Sequence, residues 1–332
     1  MKVLVTGGAG FIGSHLCDLL LDRGHEVVCV DDLSKGRVEN IQGAVERSGF
    51  SFEHLDVRDT GRLLEVGEGI EAVIHLAAFK IPRYESALRV LSVNYEAGLA
   101  ALELARANGA KFVLASTSDV YGKNPDLPFR EDSDLVLGSS TSRRWAYAIS
   151  KLTDEQLAFA YQEDHGLPVV VLRFFGSYGE RQYLDWWGGP QGVFLNAITH
   201  DEPIELHGGG RQTRSFVHVS DLVEGVARAL EAPAADGEII NIGTAEEISI
   251  AALAELMFEL SGKSGRPRFE VVPYESLARN YEDPQRRVPD LAKMERVLGL
   301  TPRVSLRDGI TRLWDWYRRL PEVTARPPGA AG

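Results

Sequence analysis

Residues 2 to 32, KVLVTGGAGFIGSHLCDLLLDRGHEVVCVDD, leave few options to the chain that contains them. Lys2 to Val5 is apolar, β-branched and too short for a helix, so it reads as a buried strand. Thr6-Gly7-Gly8-Ala9-Gly10-Phe11-Ile12-Gly13 comes next, then an amphipathic run from Ser14 to Arg23 that Gly24 stops. A second apolar strand, Val27 to Val30, ends in Asp31-Asp32. Strand, glycine turn, helix and strand thus fit within roughly 30 residues. The glycines at 7, 10 and 13 let backbone approach a pyrophosphate closely, and the new helix points its N-terminal N–H groups at it. Asp31 stands where a carboxylate bonds both hydroxyls of an adenosine ribose and repels a 2′-phosphate, which favours NAD over NADP. Gly7, Gly10, Phe11, Ile12, Gly13, Asp31 and Asp32 are therefore the expected cofactor contacts.

The rest of the first half repeats the alternation. Strands are expected at Ser51 to Leu55, Ala72 to Leu76, Lys111 to Ala115 and Pro168 to Leu172, with long helical patterns over Tyr84 to Asn108 and Arg143 to Asp164. Such alternation predicts an α/β fold with a doubly wound parallel sheet of the Rossmann type. Ligands of these sheets lie beyond the carboxyl ends of the strands. That puts Asp56 and Val57 near the adenine and Leu76, Ala77 and Ala78 along the cofactor. After Arg173 the pattern changes to loops rich in glycine and tryptophan, a helix near Val193 to His200, another to Glu231, a strand at Ile239 to Gly243, and two or three further helices. The expected division is a dinucleotide domain over 1–173 plus about 216–243. A smaller, partly interleaved substrate domain would take 174–215 plus about 244–322, with 323–332 a disordered tail.

Composition narrows the partners. The chain has 332 residues, 44% hydrophobic and 25% charged, as in an ordinary soluble globular protein. A formal net charge of -12 argues against nucleic acid or an anionic membrane, and requires any anionic ligand to be met by a local arginine cluster. Cys17 and Cys29 lack metal-ligand spacing and read as reduced core thiols, so no metal site is expected. The chain enters its first strand at once and has no apolar run of membrane-spanning length, so a cytoplasmic protein is expected.

Tyr147-Ala148-Ile149-Ser150-Lys151 carries the chemistry. Tyr147 and Lys151, four apart, share one helix face. An ammonium beside a phenol favours phenolate, and a nicotinamide cation adds to the effect. A tyrosine so tuned takes the proton of an alcohol while hydride leaves the same carbon.

Together, TGGAGFIG, Asp31, His75-Leu76-Ala77-Ala78, Ser116-Thr117-Ser118, YAISK and Gln212-Thr213-Arg214-Ser215-Phe216 resemble the extended short-chain dehydrogenase/reductases over nearly the whole chain. Within them, the chain looks like the enzymes that act on nucleotide-diphosphate sugars. The resemblance implies a tightly held NAD that oxidises the sugar at C4. It also implies a homodimer through helices near 84–107 and 143–164, and a UDP-sugar substrate. By the same resemblance Thr117 bonds the C4 oxygen, Arg214 sits near the nucleotide diphosphate, and Arg181 and Gly176 contact substrate. Lys80 resembles an epimerase lysine near the cofactor phosphates; a solvated loop lysine is the other reading.

Ser118 and Asp119 bear on the step after C4 oxidation. Asp-Glu at these places marks 4,6-dehydratases, small or neutral residues mark 4-epimerases, and Ser-Glu marks UDP-glucuronate decarboxylases. Ser118-Asp119 is decarboxylase-like with an acid shorter by one C–C bond, about 1.5 Å; a simple turn aspartate is the other reading. Arg143-Arg144-Trp145-Ala146-Tyr147 resembles the lead-in of sugar-acid decarboxylases. Asp283-Pro284-Gln285-Arg286-Arg287-Val288-Pro289-Asp290 resembles a segment of the xylose-forming ones, where Arg287 matches an arginine at the sugar carboxylate; a basic surface loop is the other reading. Two departures stand out: Gly176 replaces a usual asparagine, and Glu180 a usual proline. Trp186-Trp187 matches no signature of the decarboxylases and reads as a lid or a packed surface loop.

The expected activity is that of a UDP-glucuronate decarboxylase. Tyr147 and Lys151 act at C4, Asp119 and Arg287 at the carboxylate and at C5 protonation. The product is UDP-xylose or UDP-4-keto-xylose. A UDP-sugar 4-epimerase is the alternative, then a 4,6-dehydratase, and outside enzymes an NAD-sensing binding protein.

Overall fold

Alternate side chains of the first strand decide which layer lies on which side of the sheet. In β1 (Lys2–Thr6), Val3 and Val5 join one core and Leu4 the other, as a period of two requires. A strand buried on both faces reads as an unbroken apolar run, and Lys2 to Val5 has that character. The computed structural model describes residues 1–80, 86–277 and 282–320. The expected tail at 323–332 and the first residues of the helix expected from Tyr84 lie outside the described residues.

The first half comprises β1, α1 (Phe11–Asp22), β2 (Glu26–Asp31), α2 (Val38–Val45), β3 (Phe50–His54), α3 (Thr60–Val66), β4 (Ala72–His75), α4 (Ala87–Asn108), β5 (Lys111–Thr117), α5 (Ala146–His165) and β6 (Val169–Phe174). Then come β7 (Gly176–Tyr178), α6 (Pro190–Thr199), β8 (Ile204–His207), β9 (Thr213–His218), α7 (Val219–Glu231), β10 (Ile239–Ile242), β11 (Glu247–Ser249) and α8 (Ile250–Leu260). The chain continues with β12 (Phe269–Val272), α9 (Tyr274–Leu277), β13 (Arg286–Arg287), α10 (Ala292–Leu298) and α11 (Leu306–Tyr317). The two short helices α2 and α3 were not assigned from the sequence.

Among the described residues, seven strands make one parallel sheet in the order β10-β6-β5-β4-β1-β2-β3. The doubly wound Rossmann architecture is therefore the fold. The winding reverses between β1 and β4, which opens the crevice where such sheets bind ligands. Residues of α1, α7 and α10 cover one face, and residues of α3, α4 and α5 the other. Cys17 and Cys29 are free and buried in the first of these cores.

The smaller substrate-side half is built on β9, which pairs with β7, β11 and β13, and on the β8–β12 pair, with a core from Phe194, Leu253 and Trp314. Two expected boundaries differ. The return at 216 falls inside β9, because that strand is held by its neighbours in the small sheet, and only α7 and β10 rejoin the large one. α10, expected in the substrate half, buries Met294 and Leu298 in the α1–α7 core.

Candidate active site

At the end of β1, Gly7 has φ of 70° and a Cβ there would lie 2.9 Å from the Ala77 nitrogen. Gly13 is tighter still, since a Cβ would stand 2.2 Å from the Gly7 carbonyl oxygen. The turn is closed by Gly7 N–H donating to Val30 O at 2.8 Å and Gly10 N–H to Gly7 O at 3.1 Å. α1 is preceded at its N-terminus by Gly10, which has no side chain to cap it, so its first N–H groups stay open to an anion. Gly10, Phe11, Ile12 and Gly13 line a cavity of about 450 Å³ there.

Asp31 also lines it, and has a second role. Its carboxylate accepts from Ala9 N–H at 3.0 Å and Leu33 N–H at 2.8 Å, so it braces the glycine turn it is to serve. Burial pushes that carboxyl up, against the pull of those N–H groups. Asp32 caps a tight turn by accepting from Ser34 N–H at 2.9 Å. Asp56, just beyond β3, pairs with Arg58, and Asp32, Asp56 and Val57 all reach the cavity. After β4, Leu76 and Ala77 N–H both donate to Thr6 Oγ1 at 3.2 Å, which holds Leu76, Ala77 and Ala78 along the cavity wall. These residues fit a dinucleotide: glycines where any side chain would clash, open helix N–H groups, and a carboxylate at the end of β2.

A second lobe of about 240 Å³ shares Lys80, Asp119, Tyr147, Gly176 and Arg287 with the first. Tyr147 lies in the first turn of α5 and Lys151 one turn on, and both line the larger lobe. Thr117 ends β5, and Ser118 and Asp119 sit in the 3₁₀ turn beyond it; all three face the same space. The expected electrostatics are corrected here. Lys151 Nζ donates to Asp154 Oδ2 at 3.0 Å. The Tyr147 phenol is pushed above its ordinary range by burial and then by the Asp119 and Asp154 carboxylates. The aspartate one turn further along the same helix takes one N–H of the ammonium and offsets part of the charge that the sequence assigned to the phenol.

Asp119 is met by a cluster of arginines. Burial raises its carboxyl, but Arg144, Arg287 and Arg214 outweigh that and hold it well below the carboxylate range. Arg144 donates at 2.9 Å, and Arg287 Nη1 makes a short contact to the same carboxylate. In this arrangement the Asp119 carboxylate is ionised and bound to the Arg144 and Arg287 guanidiniums. Burial pulls the Arg287 guanidinium down to about 10. Its Nε has no hydrogen-bond partner among the described residues. Arg214 pairs with Asp283 at 2.8 Å and lines the second lobe, brought beside Arg287 by the β9–β13 register.

Two expected substrate contacts separate. Gly176 lines both lobes, and a Cβ there would lie 2.7 Å from Phe216 Cδ1, so the asparagine usual in similar sequences has no room. Arg181 pairs with Asp18 on α1 at 2.8 Å and is not part of either lobe, because the turn after β7 aims it back at the helix. Lys80 joins both lobes; burial pulls its ammonium down to about 8.

Sequence reasoning missed several residues. Arg144, read in the sequence only as part of a decarboxylase-like lead-in and given no role at the site, precedes Tyr147 by three, a helical spacing that signals a shared face. Asp154 lies three beyond Lys151, with the same signal. Asn94 bonds both Phe79 backbone groups, at 2.6 and 2.9 Å, and Ser150 at 2.9 Å, and so ties the post-β4 segment to α5; nothing local announces it. The Trp186-Trp187 loop, singled out in the sequence as a lid or a packed surface loop, walls the cleft: Trp186 stacks on His207 with centroids 4.3 Å apart, and Trp187 meets Phe79 edge-on at 5.6 Å. Among the described residues no three His, Cys, Asp or Glu side chains are grouped to hold a metal ion.

Residues 3–243 match the NAD dependent epimerase/dehydratase family. The chain is 34% identical over 325 residues to a UDP-N-acetyl-alpha-D-glucosaminuronate decarboxylase of Bacillus cytotoxicus, covering 96% of this chain and 98% of that protein. It is 32% identical to UDP-glucuronic acid decarboxylase 1 of Xenopus tropicalis, covering 96% of this chain and 72% of the other. Among solved structures it resembles UDP-glucuronic acid 4-epimerase from Bacillus cereus, with a TM-score of 0.85, 31% identity, and coverage of 96% and 99%. With the glycine turn, the Tyr147–Lys151 pair and these likenesses in hand, the chain belongs to the NAD dependent epimerase/dehydratase family, among the extended short-chain dehydrogenase/reductases that modify nucleotide sugars.

Proposed function

We propose that the protein is an NAD-dependent decarboxylase of a UDP-hexuronate, with UDP-glucuronate the first substrate to test. One observation carries the reading: the half-buried guanidiniums of Arg144 and Arg287 converge on Asp119 beside Tyr147. In a protein of net charge -12 this is a local site for an anionic group next to the reacting alcohol. NAD, when bound, supplies the hydride acceptor. Tyr147 takes the C4 hydroxyl proton, Thr117 bonds the C4 oxygen, and Arg287 with Arg144 holds the carboxylate. A 4-keto acid with its carboxylate at C5 is a β-keto acid, so the C5–C6 bond breaks, carbon dioxide leaves with the electrons delocalised into the ketone, and the resulting enolate takes a proton at C5 from water. The relatives named as decarboxylases of uronate-type UDP-sugars support this choice.

The second reading, 4-epimerisation of the same sugar acid, is favoured by the ionised state of Asp119, which withdraws it as a proton donor at C5. Incubation with UDP-glucuronate, UDP-N-acetylglucosaminuronate and UDP-glucose, with NAD and mass analysis of products, separates the two. Loss of the mass of carbon dioxide from an acidic substrate supports decarboxylation, and a product of unchanged mass supports epimerisation. Absence of turnover with NAD still bound favours a sensing role. Arg287→Ala is expected to lower kcat/KM on the acid by about 10–100-fold, roughly 1.5–3 kcal/mol for a hydrogen bond to a charged group. Its effect on a neutral UDP-sugar should be much smaller, and equal losses would count against the assignment.

The reading includes a homodimer and a cytoplasmic location. α4 carries the exposed apolar residues Leu88, Leu91 and Tyr95, and α5 the exposed Ile149, which supports pairing through these helices. No helix of the described residues is long and apolar enough to cross a membrane.

A further inference from the structure

We propose that Asp154 is a positioning residue for the C4 chemistry: it anchors the Lys151 ammonium and thereby sets how readily Tyr147 gives up its proton. The inference rests on the family's shared Tyr–Lys chemistry and is independent of which UDP-sugar is bound or whether carbon dioxide is lost.

Asp154 lies one turn beyond Lys151 on α5, and the two side chains are 1% and 2% exposed. Its neighbour Glu155 is already engaged, by Arg173 at 2.8 Å and by Ser116 at 2.5 Å. Asp154 therefore serves a different partner. Oδ2 accepts from Lys151 Nζ at 3.0 Å, while Oδ1 is buried with no hydrogen-bond partner among the described residues. Burying a carboxylate is costly unless it is paired and fully hydrogen-bonded, and an apolar side chain of similar size would fill this position at lower cost.

The facing helix makes room for it. Gly98 on α4 stands opposite, and a Cβ there would lie 2.6 Å from Asp154 Oδ1. A glycine inside a helix is itself unfavourable. Two locally unfavourable choices on two helices thus combine to seat one carboxylate against the lysine of the site.

Among the described residues, the titratable groups around it are few. On α5 they are Tyr147, Lys151 and Glu155, the last neutralised by Arg173 of β6. Asp119 acts on Tyr147 from the turn after β5, its partners Arg144 and Arg287 and the Lys80 ammonium line the same lobe as the phenol, and His75 of β4 is buried and neutral. The buried residues of α4 carry no charge. An ammonium has three N–H donors. One goes to Asp154, which fixes the direction of Nζ and leaves two for groups in the cavity. The same carboxylate offsets part of the lysine's charge and disfavours a second anion nearby, so the phenol stays protonated longer. A protonated Tyr147 is the form that returns a proton to the C4 oxygen when a ketone is reduced.

Asp154→Asn keeps the shape and removes the charge. The onset of phenolate absorbance on alkaline titration, each protein compared with its Tyr147→Phe counterpart, is expected about 1 pH unit or more lower in the variant. The midpoint of the rising limb of the pH profile for C4 oxidation should move the same way, with NAD affinity unchanged. A variant that scales the whole profile down without moving its midpoint, and titrates as the parent does, overturns the proposal. If Asp154→Asn fails to fold, Gly98→Ala keeps the charge but crowds Oδ1. A folded Gly98→Ala protein with the parent's midpoint also overturns it.

Discussion

At Tyr147 three charges compete for one proton. Lys151 is drawn to Asp154, Asp119 is drawn to its arginines, and both carboxylates oppose the phenolate. Among the described residues of the larger lobe, Tyr147 is nevertheless the phenol that stands with Thr117 and Lys151, while Tyr183 lies across the cleft. Tyr147→Phe is expected to cost C4 oxidation about 10²–10⁴-fold, the usual worth of a positioned acid–base group, while NAD binds as before. Single-turnover absorbance and equilibrium binding check the two halves, and retained oxidation would exclude Tyr147 as the base. His75 shows the same competition without chemistry. It is fully buried, with Nδ1 2.9 Å from Thr6 Oγ1, and burial, then Lys151, pushes its imidazole down to about 3. The unfolded chain takes up that proton near the ordinary value of 6.5, and the folded protein only near 3. Between these values the unfolded state binds more protons, so stability falls as pH drops through the window. Urea midpoints measured across it should fall with pH, and less steeply in His75→Gln; parallel slopes would remove His75 as the cause.

Elements meet at the site through close backbone approach. α1 reaches the end of β1 only because Gly13 has no side chain where the Gly7 carbonyl stands. Gly13→Ala should therefore push α1 off the turn, lowering stability by about 1–3 kcal/mol as overpacking does. Binding of NAD should weaken with it, since the same movement displaces the open N–H groups. Thermal unfolding with and without NAD reads both effects, and a stable variant with normal NAD affinity would contradict the role given to the turn. The β9–β13 pairing does similar work at the other lobe, setting Arg287 against Arg214 by register.

For the whole molecule, the exposed apolar residues of α4 bear on the proposed dimer. Leu88 is 76% and Tyr95 44% exposed, on the helix that packs against the one bearing Tyr147. Leu88, Leu91 and Tyr95 recur at helical spacing on α4, and exposed apolar residues so placed support the proposed association through this helix. The parent should sediment as a dimer and the double variant Leu88→Glu, Tyr95→Glu as a monomer. A monomeric parent would refute the helix-paired dimer.

Much of the fold was legible because it is written in local patterns. Apolar runs of strand length, one glycine spacing and two long helical periods are all short-range signals, and they yielded the sheet, the dinucleotide turn and the Tyr147–Lys151 pair. Arg144 and Asp154 carried a usable signal too, at helical spacing from the pair, that did not enter the reading of the site. Local order along the chain was enough for the cofactor class and for the edge of the sheet that holds it. The pairing of charges was settled in the folded molecule. Asp119 and Arg287 are 168 residues apart in the chain, and Asp154 faces a glycine on another helix. Arg181, close in sequence to residues of the site, turns away to Asp18. Electrostatic partners depend on distances across the folded molecule, and those are set by packing and strand register rather than by spacing along the chain.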